Sequence, residues 1–324
     1  MAKVVREELI RQLASGQFVS GQFLAEHLGV SRAAISKHVK ALGEMGLDIF
    51  SVQGKGYKLA HPMQLLEQQQ ISQHLQTLGA QNNVEVHTII DSTNSYLMRR
   101  LPNQVTHGQV CISEYQSAGR GRRGKQWQSP LGSHLYMSMY WYLEQGMAAA
   151  MGISIVVGIA VADVLKGIYG LPVQLKWPND IYVDGAKLAG ILVELEGQSI
   201  GPGHCVIGLG LNVQMPDNSA AEIDQSWTDL SRELTDNIDR NLLTAQLIAQ
   251  ISKRLKQHHQ FGLAPMLDDW QKQDYFYNKN VLLLAGDKTT RGICKGINQS
   301  GALLLEIDGK LQPVYGGEVS LRAG

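Results

Sequence analysis

Residues 147–165 constrain this chain more than any other stretch. They are almost all apolar or small, broken by Gly152, Ser154 and Gly158, and they run through Asp163 into Lys166. The run has the length of a membrane span but is rich in glycine and alanine rather than leucine. A helix that is apolar on every side has to be covered on every side. A buried core helix in a sheet-containing domain is therefore expected, and no membrane partner. The chain's 324 residues, 44% of them hydrophobic and 18% charged, leave room for such a core and for two or three domains.

Three zones with different periodicity surround that helix. In residues 1–63, Val5, Leu9, Ile10 and Leu13 recur at helical spacing. Ser20 is placed to cap a short helix, Gly29 to turn the chain, and Ser31 to cap a second helix with Ile35, His38, Val39 and Leu42 along one side. Alternation on either side of Gly54-Lys55-Gly56 predicts a small hairpin. The arrangement is that of a winged helix-turn-helix. Residues 1–60 hold eight Lys/Arg against five Asp/Glu, although the whole chain is neutral. Five of those cations fall on the second helix and the wing, where phosphates would lie. A solvated charged face on a small helical domain is the competing reading.

His61-Pro62 marks the boundary to a second zone, residues 64–276, where strand and helix patterns alternate. Val84–Ile90, Val110–Tyr115, Leu135–Trp141 and Cys205–Val213 read as strands, and Asp184-Gly185 as a hairpin turn. Leu243, Leu247, Ile251 and Leu255 define a late helix. Residues 277–324 show only short strands between turn signals, which predicts a small SH3-like β-barrel. The expected fold class is thus α+β in three domains, at 1–63, 64–276 and 277–324. The N-terminus has no signal-peptide core, and Cys111, Cys205 and Cys294 form no closely spaced pair. That fits a cytoplasmic protein without disulfides or a zinc ribbon.

The chemistry concentrates in the middle zone. Gly119-Arg120-Gly121-Arg122-Arg123-Gly124 packs three fixed cations among glycines. It lacks P-loop spacing and is followed by no clear helix, so it is neither a Walker motif nor a Rossmann turn. Like charges so close are unfavourable until an anion arrives, which predicts an anion-binding loop; an ordinary basic surface loop is the alternative. Lys176, on the polar side of a strand, reads either as a solvent-facing lysine or as a ligand group. Ser92-Thr93-Asn94 reads either as an N-cap or as a set of donors and acceptors for an uncharged polar ligand. Gln116 offers both functions beside the loop.

Taken together, these segments resemble the biotin–protein ligase family. The matching residues are Asp91-Ser92-Thr93-Asn94, the run from Glu114 to Gly124, Trp127, Lys176-Trp177-Pro178-Asn179-Asp180, Lys187-Leu188-Ala189-Gly190-Ile191-Leu192 and Gly208-Leu209-Gly210-Leu211-Asn212. With the N-terminal unit, Gly54-Lys55-Gly56-Tyr57 and the C-terminal strands, the likeness covers nearly the whole chain. It is similar to the bifunctional form that is both ligase and biotin operon repressor. Residues 219–238 are less family-like.

The resemblance implies a class II synthetase-like mixed sheet as the catalytic core. It implies ATP, biotin and Mg²⁺ as reactants and cofactors, and biotinyl-5′-adenylate as intermediate and corepressor. Biotin carboxyl carrier protein, operator DNA and a homodimer are the implied partners. Biotin contacts fall to Ser92, Thr93, Asn94, Gln116, Arg120, Gly121, Arg122 and Lys176. ATP or adenylate contacts fall to Arg120, Arg122, Arg123, Trp127, Asn179 and Asn212, with Trp227 on the adenine side and Asp180 as metal ligand. Arg122 and Lys176 are the expected catalytic groups. Ser31, Arg32, Ser36, Lys37, Lys40 and Lys55 are the expected DNA-facing residues. A carboxylate attacking a phosphate needs charge relief and alignment rather than a base, which suits this cationic set. A helix-turn-helix regulator that merely senses a ligand, and a lipoate ligase of the same fold, remain as other readings.

Overall fold

The computed structural model describes residues 2–144, 146–197, 201–216, 223–317 and 319–324. Of the stretch 219–238 noted above, residues 219–222 lie outside them.

The N-terminal unit holds helices α1 (Ala2–Leu13), α2 (Gly21–Leu28) and α3 (Arg32–Glu44) and the hairpin β1 (Ile49–Val52) and β2 (Gly56–Leu59). Both expected caps are formed: Ser20 Oγ accepts from Phe23 N at 3.1 Å and Ser31 Oγ from Ala34 N at 3.2 Å. Each satisfies an amide that the helix cannot, worth about 1 kcal/mol. Ile35, Val39 and Leu42 of α3 are buried against Leu9, Ile10, Leu13 and Leu24. The opposite face presents Ser31, Arg32, Ser36, Lys37 and Lys40, all exposed, and Lys55 is exposed at the hairpin tip.

The central unit is a seven-stranded sheet. Its strands are β3 (Val84–Ile90), β4 (Val110–Gln116), β5 (His134–Leu143), β6 (Gln174–Lys176), β7 (Asp180–Val183), β8 (Ala186–Gly197) and β9 (Gly203–Asn212), ordered β3-β4-β5-β9-β8-β7-β6. Only β3 and β4 pair in parallel. Asp184 and Gly185 turn β7 into β8 with φ of 45° and 82°, the left-handed pair that a two-residue hairpin demands. Helix α4 (Gln68–Thr77) lies beside β3, and a short helix, α5 (Thr93–Met98), follows it.

Helix α6 (Ile153–Tyr169) is the long apolar run. With the turn before it, Met147–Tyr169 is long and apolar enough to cross a membrane, yet Ile155 to Ala162 are all buried, against β6, β8 and helix α7 (Arg240–Phe261). Alternation along the strands then does the sorting. On β5, β8 and β9, Met139, Trp141, Ala189, Ile191, Cys205, Ile207 and Leu209 belong to the core that contains α6. Ser138, Tyr140, Gly190, Leu192, Glu194, Gly208 and Gly210 alternate with them and so face the side that carries α5.

The C-terminal unit is an antiparallel sheet of β10 (Asn280–Ala285), β11 (Lys288–Ile297), β12 (Leu303–Ile307), β13 (Lys310–Val314) and β14 (Val319–Ala323), ordered β13-β12-β11-β10-β14. A bulge bends β11 between Cys294 and Ile297, and β13 and β14 share no ladder. Residues 273–275 fasten this unit to the sheet edge: Leu175 N donates to Gln273 O at 2.7 Å and Tyr275 N to Leu175 O at 2.9 Å.

The N-terminal unit is tied down as well. Leu131, from the segment after the arginine loop, is buried in its core and donates its amide to Met45 O at 2.9 Å. The connecting residues are held by Glu114, whose carboxylate accepts from Leu66 N at 2.5 Å and from Arg240 at 2.8 Å. Arg240 and Glu114 are 7% and 2% exposed. Removing one member of such a buried pair costs about 3–5 kcal/mol.

Candidate active site

One cleft, on the α5 side of the sheet, collects most of the singled-out residues. Ser92, Thr93, Asn94, Gln116, Arg120, Gly121, Arg122, Arg123, Trp127, Lys176, Asn179 and Asp180 all line it. Segments 92–94, 116–127 and 176–180, well separated along the chain, therefore meet because β4, β5, β9, β8, β7 and β6 lie side by side in the sheet.

One end of the cleft is neutral and fully hydrogen-bonded. Thr93 donates its amide to Gln116 Oε1 at 2.9 Å, and its hydroxyl lies 3.2 Å from the same oxygen. Gln116 Nε2 donates to Ser129 Oγ at 3.3 Å. The Ser138 hydroxyl, wholly buried on β5, lies 2.6 Å from Thr93 Oγ1 and 2.5 Å from Asn94 Oδ1. Ser92 caps α5 by accepting from Ser95 N at 3.4 Å. Capping and site-building thus coexist: the turn that needs Ser92 as a cap also delivers Thr93 and Asn94 to the cleft.

The other end is cationic. The loop turns on Gly121 N donating to Lys125 O at 2.7 Å, with Arg123 at φ 60° and Gly124 at 69°. Arg122 donates to Asn179 Oδ1 at 3.1 Å and to the carbonyl of Gly317 in the C-terminal unit. No carboxylate pairs with it among the described residues, and burial lowers its pKa, with the neighbouring Arg123 adding to that and Asp180 opposing it. Lys176 is only 7% exposed. Its ammonium donates to Tyr182 Oη at 3.1 Å and faces the rings of Tyr182 and Phe276 at 4.7 and 5.7 Å. Burial brings its pKa down to about 8, and Asp180 only partly offsets it. The strand lysine is therefore not a solvent-facing one; it is held in an aromatic recess without a carboxylate of its own.

Asp180 instead pairs with Lys187 at 2.8 Å. Lys187 also lies 5.4 Å from the Trp127 ring. That indole rests on a bare patch of sheet. Gly190 and Gly210 are register partners on β8 and β9, and a Cβ on either would meet the ring, at 3.0 and 2.6 Å respectively. Any larger residue at Gly210 displaces Trp127 from the cleft wall.

Three sequence expectations take a different place in the structure. Arg120 lines the cleft but is not left free for a ligand's anion: its Nη2 reaches both oxygens of Glu194, at 2.9 and 2.8 Å. Asn212 is not among the cleft-lining residues. It is 5% exposed and its amide donates to Thr228 O at 3.0 Å, fastening the 226–228 segment beside Lys187. Trp227 lies outside the lining too, with the Arg232 guanidinium 4.0 Å from its ring. In each case another group in the protein takes up the side chain. Arg120 and Asn212 find partners in segments distant along the chain, Glu194 and Thr228, and Trp227 meets Arg232, five positions on in the short helix Leu230–Glu233.

Four contributors escaped the sequence reading. Ser138 and Glu194 sit in strands whose patterns point to packing and give no signal. Lys187 stood in a quoted motif but carried no assigned role. The fourth, Val319 to Arg322 of the C-terminal unit, closes one wall of the cleft. Among the described residues no cluster of three or more His, Cys, Asp or Glu could cage a metal ion.

Comparison with known proteins agrees with this architecture. The Biotin/lipoate A/B protein ligase family matches residues 86–212, an HTH domain matches 5–58, and the Biotin protein ligase C terminal domain matches 276–322. Among solved structures, biotin protein ligase from Aquifex aeolicus in complex with biotin and ATP superposes with a TM-score of 0.64 at 26% identity. It covers 75% of this chain and 99% of that one. Fold and site thus define a ligase core of the biotin/lipoate type carrying a helix-turn-helix unit. The bifunctional ligase/repressor BirA of Escherichia coli (strain K12) is 49% identical over 98% of this chain and 97% of its own length. Its counterpart in Bacillus subtilis (strain 168) is 28% identical over 99% of this chain. The chain belongs to the family of bifunctional biotin ligase/repressors.

Proposed function

We propose that this chain activates biotin with ATP, forming biotinyl-5′-adenylate and pyrophosphate, and passes biotin to a lysine of biotin carboxyl carrier protein. The observation that carries this is the polarity of the cleft: a neutral, hydrogen-bonded end and a cationic end on one sheet face. Biotin has that same polarity, an uncharged ureido ring at one end and a carboxylate at the other.

Thr93 and Gln116, with Ser92, Asn94 and the buried Ser138 behind them, hold the ring end. Arg122, Lys176 and Lys187 surround the carboxylate–phosphate junction. Bringing a carboxylate to an α-phosphate opposes two anions. Three cations placed before the substrates arrive relieve that repulsion without reorganising during the step. Arg122 bridges the loop to Asn179 and Gly317 and so holds the adenylate between the central and C-terminal units. Arg123 and Trp127 complete the loop side, and Trp127 covers the intermediate from water.

The donor set fits Mg²⁺ only as an ion that comes with the nucleotide. Asp180 offers one carboxylate in the cleft, already shared with Lys187, and a phosphate-bound Mg²⁺ needs little more from the protein. Such an ion would screen phosphate charge.

The second activity belongs to the N-terminal unit. Arg32, Ser36, Lys37 and Lys40 on the exposed face of α3, with Ser31 at its start and Lys55 on the wing, contact operator DNA. The adenylate-loaded chain dimerises, because a palindromic site asks for two symmetric copies. Domain limits at 63/64 and 276/277 separate DNA binding, catalysis and cleft closure. Biotin-dependent exchange of pyrophosphate into ATP tests the ligase reading. Its absence from the purified chain at saturating substrates would end it, and exchange supported by lipoate but not biotin would redirect it.

A further inference from the structure

The arginine loop is joined to β8 by an ion pair that the adenylation chemistry does not use. Arg120 Nη2 reaches both oxygens of Glu194, and Asn94 Nδ2 donates to the same carboxylate at 2.7 Å. Arg120 Nη1 donates to Ser95 Oγ at 2.5 Å and lies 3.4 Å from Ser92 Oγ. One carboxylate therefore ties together the loop, the first turn of α5 and strand β8. From Asn94 the contacts continue through Ser138 and Thr93 to Gln116. Glu194 stands at the end of a chain of polar contacts that runs beneath the neutral end of the cleft.

The loop base is tight as well. A Cβ on Gly119 would lie 2.5 Å from Ser129 Oγ and 2.8 Å from Trp127 O, so the backbone threads a gap with no spare room. Arg120 is the first residue beyond that gap. With Nη2 on the Glu194 carboxylate and Nη1 on Ser95, the planar guanidinium is fixed in direction as well as in energy. Here the direction is toward α5, away from Arg122 and Lys176.

We propose that Glu194 is a positioning residue: it latches Arg120 across the neutral end of the cleft, so that the loop base closes on the biotin ring rather than on the phosphates. The inference rests on reading the cleft as a biotin–adenylate site. It splits the loop into two parts. Arg120 closes, and Arg122 meets the anion. Breaking the latch loosens the ring end while Arg122, Lys176 and Lys187 keep their places, so biotin affinity falls and ATP affinity does not.

The test is biotin-dependent ATP–pyrophosphate exchange by the full-length chain and its Glu194→Gln, Arg120→Gln and doubly substituted variants. Glutamine keeps the size of the side chain and an acceptor for Asn94 but removes the charge. The KM for biotin is expected to rise about tenfold in each single variant, with the KM for ATP within about twofold, and the double variant no worse than either single. Equilibrium dialysis of biotin without ATP is expected to show the same loss. Arg120→Lys, which keeps the charge but not the second nitrogen that reaches Ser95, should fall between. A wild-type chain without biotin-dependent exchange would sink the assignment of the cleft itself. Wild-type exchange together with an unchanged biotin KM in Glu194→Gln overturns the latch alone. So does a loss shared equally by both substrates, or single effects that add in the double variant.

Discussion

The two ends of the cleft are built on opposite principles. At the neutral end the side-chain donors and acceptors of Thr93, Asn94, Gln116 and Ser138 find partners within the protein. At the cationic end, Lys176 is desolvated against aromatic rings, and Arg122 ends on an amide oxygen and a carbonyl rather than on carboxylates. The first end is finished without a ligand; the second is not. A satisfied network stabilises the fold and specifies shape. Unpaired cations cost stability and store their interaction energy for an anion. Substitutions should therefore separate activity from stability at one end and join them at the other.

Lys176→Met gives the sharpest separation. Exchange activity should fall by about a hundredfold to a thousandfold, as when one preorganised charge is removed from a transition state. The same change should stabilise the chain, by on the order of 1–3 kcal/mol, because a buried ammonium without a carboxylate is exchanged for a thioether of similar length. Parallel rate and urea-denaturation measurements decide it; a destabilised variant would break the contrast. Gly210→Ala comes next. The added methyl meets the Trp127 indole at 2.6 Å, so the adenylate should lose its cover and dissociate tens of times faster, on the order of 2 kcal/mol of overpacking and lost contact. An unchanged adenylate off-rate would show that Trp127 does not cover the ligand.

At the finished end, Ser138→Ala strands the Asn94 oxygen and removes one of the two contacts of the Thr93 hydroxyl. Biotin affinity and folding stability should drop together, each by about 1–2 kcal/mol. Affinity loss with no change in stability would erase the difference between the two ends. The smallest effect is on pH dependence. Lys176 is depressed to about 8 by burial. Its charged form is therefore present below that pH and lost as pH rises through it, so the adenylation rate should decline on the alkaline side near 8. In Lys176→Arg, whose charge persists, that limb should move well above the range; a limb that stays near 8 assigns it to another group.

How much of this could be read beforehand depended on the range of the forces involved. Ser20 and Ser31 as caps, Asp184-Gly185 as a turn and residues 147–165 as a core helix were legible because each rests on neighbours a few positions away. Thr93, Gln116, Arg122 and Lys176 were picked out by the resemblance of their segments to a known family, since residue type alone left a cap or a solvent-facing lysine open; that they line one cleft came from the fold. The C-terminal strands were visible, but not that β14 lines the cleft. Ser138 was invisible: a serine inside an apolar strand shows its purpose only when the facing turn is known. Arg120 was assigned to a ligand's anion because its carboxylate partner in the chain, 74 positions away, could not be paired with it from order alone.

The sequence by itself determined which segments become helix, strand and turn in this protein, and which side chains could bind an anion. Backbone sterics, capping and side-chain periodicity act over a turn or a pleat, and the linear order contains them. Only the tertiary structure decided how the cations are used. The strand order β9-β8-β7-β6 sets Glu194 against Arg120, Asp180 against Lys187, and Tyr182 with Phe276 around Lys176. These contacts depend on distances of a few ångströms, whether between Arg120 and Glu194, 74 positions apart, or between Asp180 and Lys187 across the β7–β8 hairpin, and those distances exist only once the sheet has formed.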